Sequence, residues 1–182
     1  MDLNEEQICK MLMCEATKHE AFSMIVKAYS ECLYRKIRYI VLVHEDADDV
    51  LQNTFLKAWN NIGSFRSKSK LLTWLYSIAI NESLDYLRKN KSRILSNVSK
   101  DEKSVANLLI ADSFFDGSKA QAQLLEAVSK LPDVQRTVFN MRYFDNMKYS
   151  EISQVLDTSE GALKASYHIA VKKITDYLHL KE

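Results

Sequence analysis

The side chains that most often carry covalent or metal chemistry are few and scattered in this chain. Its four histidines are His19, His44, His168 and His179, and its three cysteines are Cys9, Cys14 and Cys32. No two histidines lie close in sequence and the cysteines form no C-x-x-C pair, so neither a metal site nor a disulfide framework is indicated. The thiols read as reduced, as in a cytosol. Gly occurs three times and Pro once, with no Gly-rich phosphate loop and no nucleophile elbow. The chain therefore reads as a non-enzyme, with no catalytic residue, metal, cofactor or small-molecule substrate.

Charge is organised where catalytic groups are not. The net charge is +1, but its parts are unevenly placed. Residues 61–100 hold eight bases (Arg66, Lys68, Lys70, Arg88, Lys89, Lys91, Arg93, Lys100) against the acids Glu82 and Asp85. Residues 1–60 carry an excess of acids, with Asp46, Asp48 and Asp49 in one cluster. Adjacent blocks of opposite sign suggest two partners of opposite sign. Near the C-terminus, Lys164, His168 and Lys172 recur at helical spacing. Ser159 stands where it can cap that helix and leave N–H groups free for a phosphate. An ordinary solvated helix face fits the same pattern.

The composition predicts helices throughout. A short helix is expected over 4–16. Thr17-x-x-Glu20 has the spacing of a capping box and predicts the start of the next helix. Phe22, Ile25, Val26, Tyr29, Cys32, Leu33, Ile37, Ile40 and Val41 form its apolar stripe. A further helix is predicted over 46–61, with Asp46, Asp48 and Asp49 in its first turn, where the helix dipole favours anions. A polar, basic loop follows at 63–69, then a helix over about 70–90. Apolar residues cover more than one face of the latter, so it is buried from two sides or presents aromatics to a partner.

Residues 91–118 lack a sustained period and read as a linker between two domains. Beyond it, Val134, Val138, Phe139, Met141 and Tyr143 are expected to line a helix after Pro132. Two more helices, about 149–156 and 159–178, flank the turn Asp157-Thr158 as a helix-turn-helix. Leu163, Tyr167, Ala170 and Ile174 should face inward, which turns Lys164, Ala165, His168 and Lys172 outward. Asp157 stands at the turn as a residue that tolerates a left-handed backbone.

Several of these segments resemble bacterial RNA polymerase sigma factors of the extracytoplasmic-function subfamily. Asp46-Ala47-Asp48-Asp49-Val50-Leu51-Gln52-Asn53-Thr54-Phe55-Leu56-Lys57-Ala58-Trp59 is similar to the region-two helix that docks on polymerase. Thr73-Trp74-Leu75-Tyr76-Ser77-Ile78-Ala79-Ile80-Asn81, with Asp85-Tyr86-Leu87-Arg88, resembles the helix that handles the −10 promoter element. Leu131-Pro132-Asp133-Val134-Gln135-Arg136-Thr137-Val138-Phe139 and Tyr149 through Lys164 resemble region four. Lys148 departs from that pattern, where a Ser cap is usual, and the last helix has fewer arginines than is common.

The resemblance implies an all-α chain of two small helical domains: region two at 1–92, a flexible linker at 93–118 and region four at 119–182. It implies contacts to core RNA polymerase, at its β′ coiled coil and β flap, through Asp46, Asp48, Asp49, Gln52 and Asn53. It places −10 recognition on Phe65, Arg66, Lys68, Ser69, Lys70, Trp74, Tyr76, Asn81 and Arg88. Bases suit the DNA backbone and aromatics can stack on unpaired bases, although core packing is the plainer role for Trp74 and an equal one for Phe65. It places −35 recognition on Ser159, Glu160, Gly161, Lys164, Ala165, His168 and Lys172. It also implies a cytoplasmic location and an anti-sigma partner, free or membrane-bound. A helix-turn-helix regulator acting without polymerase is the alternative, but it leaves helices 46–61 and 70–90 unexplained.

Overall fold

The computed structural model describes residues 5–65, 70–90 and 119–180. Arg66, Lys68, Ser69 and the expected linker at 93–118 lie outside them. Among the described residues every regular element is helical. Four helices form a first bundle: α1 (Glu5–Leu12), α2 (Glu15–Val41), α3 (His44–Asn61) and α4 (Leu71–Lys89). Four more form a second: α5 (Lys119–Ser129), α6 (Asp133–Phe139), α7 (Tyr149–Leu156) and α8 (Glu160–His179).

The apolar stripe of α2 does what its spacing predicts. Ile25, Leu33 and Ile37 are fully buried against Val50 of α3 and Leu75 and Ile80 of α4. Each such side chain stabilises the bundle by about 1.5–3 kcal/mol relative to exposure. The start of α2 differs from expectation. Cys14, not Thr17, is its N-cap, and the Thr17 hydroxyl donates to the Met11 carbonyl at 2.8 Å, tying α1 to α2. At its other end Leu42 adopts a left-handed conformation (φ 69°), and the Arg38 guanidinium donates to the Leu42 carbonyl. That bond offsets the strain of a branched residue there.

The second bundle is closed by Ala127, Val128, Leu131, Phe139, Ala170 and Ile174. Arg136 is 4 % exposed and works as an internal clasp. Its guanidinium donates to the Ser129 carbonyl, freed where α5 ends, at 3.1 Å and to the Asp133 carboxylate in the first turn of α6 at 2.7 Å. After α6 the chain widens into a π-helical stretch, Asn140–Phe144. Val134 and Tyr143, expected on the inner face, are exposed instead, one in the first turn of α6 and the other within that widened stretch. Asp157 is left-handed (φ 48°), as its position between α7 and α8 requires.

The double-sided apolarity of α4 has a definite cause. One side packs on α2 and α3, and the other meets α6 and α7 of the second bundle. Val138, Met141 and Ile152 share one continuous apolar cluster with Leu71, Leu75, Ala79 and Ile80.

Candidate polymerase and nucleic-acid surfaces

Asp49, Gln52 and Asn53 lie exposed on one face of α3. Asp48 is half-buried beside them and pairs with His44 Nε2 at 3.5 Å. Asp46 is set apart from this group. It is 9 % exposed, and its carboxylate accepts the Tyr86 hydroxyl of α4. Its acid serves the packing of α3 on α4, which corrects its expected place on the polar contact face. Leu56 was not foreseen as a surface residue. It is 61 % exposed, one turn beyond Gln52 and Asn53, and adds an apolar side chain to the same face. Its signal in the sequence was a leucine out of phase with Val50, Thr54 and Ala58.

The second surface surrounds α4. Phe65 and Trp74 are half-buried, with ring centroids 5.3 Å apart, so each supports the other near the helix start. Lys70 is exposed at the N-cap. Asn81 is exposed about 16 Å further along the axis, at 1.5 Å per residue. Arg88 is exposed near the end and pairs with Asp85 at 2.7 Å. Tyr76, expected to stack on bases, is 8 % exposed, and its hydroxyl donates to Asp145 of the second bundle. In this arrangement it faces protein and not solvent.

The third surface is the outer side of α8. Leu163, Ala170 and Ile174 are buried and Tyr167 is half-buried against Phe139, ring centroids 5.7 Å apart. Glu160, Gly161, Lys164, Ala165, His168 and Lys172 are exposed. Ser159 Oγ accepts the Ala162 N–H at 3.3 Å and fixes the helix start. A side-chain carbon added at Gly161 would meet nothing within 4 Å, and Ala165 is small, so this stripe admits a close surface. The Lys164 amine lies 3.7 Å from Glu160 and 5.6 Å from the centre of the Tyr149 ring. Lys148 has no acceptor for a cap; instead its N–H donates to Glu151 at 2.7 Å, half of a capping box. Among the described residues no helix is long and apolar enough to cross a membrane.

Residues 25–93 match the family model Sigma-70 region 2, and residues 121–174 match Sigma-70, region 4. The chain belongs to the sigma-70 family. Relatives place it in the extracytoplasmic-function group. It is 30 % identical over 158 residues to the ECF RNA polymerase sigma factor SigW of Bacillus subtilis, covering 82 % of this chain and 84 % of that one. It is 26 % identical over 165 residues to the sigma factor SigX of the same organism, covering 88 % and 85 %. Its fold is that of the sigma factor RpoE solved with the anti-sigma factor NepR from Bartonella quintana, at TM-score 0.68 and 21 % identity over 88 % of this chain and 98 % of that one. In this sigma factor the region 2 match spans most of the first bundle and the region 4 match most of the second. The helix-turn-helix of region 4 is thus α7 and α8.

Proposed function

We propose that this sigma factor binds core RNA polymerase through the exposed face of α3 and divides promoter reading between α4 and α8. The domains are region two at 1–92, a tether at 93–118 and region four at 119–182. Asp49, Gln52 and Asn53 supply polar contacts to the β′ coiled coil, Leu56 supplies an apolar anchor, and Asp48 adds charge at the rim. Region four meets the β flap. Phe65, Trp74 and Tyr76 stack on unpaired −10 bases, and Arg66, Lys68, Ser69, Lys70, Asn81 and Arg88 hold that strand. Lys164 and Lys172 contact phosphates of the −35 element, and His168 reaches a base edge. The protein is an initiation factor without a reaction of its own. It acts in the cytoplasm and is held in check by an anti-sigma partner.

The observation that carries this reading is the separation of three exposed faces, one with acid, amide and Leu56 on α3 and two with bases on α4 and α8. The test is transcription in vitro with purified core polymerase and mapping of the start sites. Defined starts that depend on this chain are expected. Transcription unaffected by it, with DNA binding retained, would overturn the reading.

A further inference from the structure

We propose that region 2 and region 4 are latched to each other through Asp145, and that the latched form withholds the −10 face of α4 from DNA. The second half rests on the assignment of α4 above; the first does not. Asp145 follows the π-helical stretch, and its side chain is 6 % exposed. Both partners of its carboxylate come from the other domain: the Lys36 amine of α2 and the Tyr76 hydroxyl of α4. The Lys36 amine also lies 5.5 Å from the centre of the Tyr76 ring. One turn along α2, the Tyr39 carbonyl accepts the Asn140 side-chain N–H at 3.1 Å. The Tyr39 ring stacks on Phe144 at 5.5 Å. Lys36 and Tyr39 share one face of α2, so Asn140, Phe144 and Asp145 grip a single strip of region 2.

This seam has the chemistry of a latch. A buried ion pair costs desolvation and contributes register more than adhesion. Asn140 Oδ1 is buried with no hydrogen-bond partner among the described residues, which lowers the gain from closure. A cavity of about 220 Å³ lies beside the pair, lined by Cys32, Lys36, Leu72, Tyr76, Met147 and Glu151 among others. Contacts between domains within a chain are commonly weak enough to open, and here opening must also part Val138, Met141 and Ile152 from Leu71 and Leu75. When the seam parts, Asp145, Lys36 and the Tyr76 hydroxyl all regain water. Tyr76 then joins Lys70 and Trp74 on one accessible end of α4. Asp145 and a promoter base therefore compete for Tyr76.

The test uses the full chain without polymerase or DNA, so it is independent of the reading of function. Small-angle scattering gives the radius of gyration, about 16 Å for a closed chain of this length. Hydrogen exchange reports protection of α4. Asp145→Lys sets two amines face to face, and Lys36→Asp sets two carboxylates face to face. Each should enlarge the radius by roughly a quarter or more against that closed value and speed exchange at the first turns of α4. The swap Lys36→Asp with Asp145→Lys should restore both readings. Should one single variant lose its helical signal, the other single variant carries the comparison. Singles that stay as small as the parent, a parent already as large as the singles, or a swap that fails to close again would each overturn the latch.

Discussion

The Tyr86 hydroxyl donates to the carboxylate of Asp46 and joins the first turn of α3 to the last turns of α4. This bond fixes the angle at which α3 offers Asp49, Gln52 and Asn53. Tyr86→Phe removes the donor and leaves the shape. Stability of the region 2 bundle should fall by about 1 kcal/mol, seen as a lower midpoint in thermal unfolding. An unchanged midpoint would mean that Asp46 is held by other contacts.

Asp49 and Leu56 should behave in the opposite way. Both are exposed, so Asp49→Lys and Leu56→Asp should leave unfolding within about 0.5 kcal/mol of the parent. Affinity for core polymerase should drop with each. Leu56→Asp should have the larger effect, because an apolar anchor that becomes buried on binding outweighs an exposed charge. Titration of labelled core polymerase measures both.

Removing the Arg136 guanidinium should be far more damaging. It is buried, and it holds the end of α5 against the start of α6 through the Ser129 carbonyl and Asp133. Arg136→Leu would leave the Ser129 carbonyl without this donor while the half-exposed Asp133 regains water, and should cost region 4 about 1–3 kcal/mol. Loss of helical signal at a lower denaturant concentration, with region 2 unaffected, is the expected result.

Closure should depend on pH. Burial pushes the Asp145 carboxyl up to about 7 in the seam, against about 3.9 for a free aspartate. Between these values the closed form holds a proton that the open form has lost, so closure is favoured in acid and weakens as pH rises through about 7. The Lys36 amine, pushed down by the same burial, acts in the opposite sense at more alkaline pH. Cys32 from α2, Tyr76 from α4 and Glu151 from α7 are the other titratable groups that line the adjoining cavity. Scattering across neutral pH should show the radius growing with pH, and Asp145→Asn should flatten that response.

On α8 the two kinds of contact should separate. Lys172→Ala should lower affinity for every promoter sequence and reduce the salt slope by about one. His168→Ala should instead alter preference among −35 variants. Footprinting on matched promoters distinguishes them, and identical behaviour of both variants would remove the distinction between positioning and base reading.

The helices of this sigma factor were legible because their apolar residues recur at helical spacing. The stripe from Phe22 to Val41 predicted α2, and the inward set Leu163, Ala170 and Ile174 predicted the outward face of α8. Local chemistry was less legible. Thr17 and Glu20 have capping-box spacing, yet Cys14 stands at the N-cap of α2 without a side-chain cap, and the Thr17 hydroxyl is used to hold α1. Asp46 stands in line with Asp48 and Asp49 in the sequence, but a helical turn sends it inward to Tyr86. The role of Tyr76 was hidden for a stronger reason. Its partner Asp145 is 69 positions away in another domain, and no periodicity encodes such a pairing.

The π-helical stretch Asn140–Phe144 adds a residue to one helical turn. Each added residue rotates everything after it by about 100° around the helix axis. That rotation brings Phe144 and Asp145 round toward α2 while Met141 stays in the core. The meeting of the two domains thus depends on a counting irregularity in five residues of backbone, one that a single deletion would erase by turning every later residue back around the axis. A chain so shortened would still carry the helices of both bundles, but Phe144 would turn away from Phe139 as well as from α2, and the two facing strips would no longer meet.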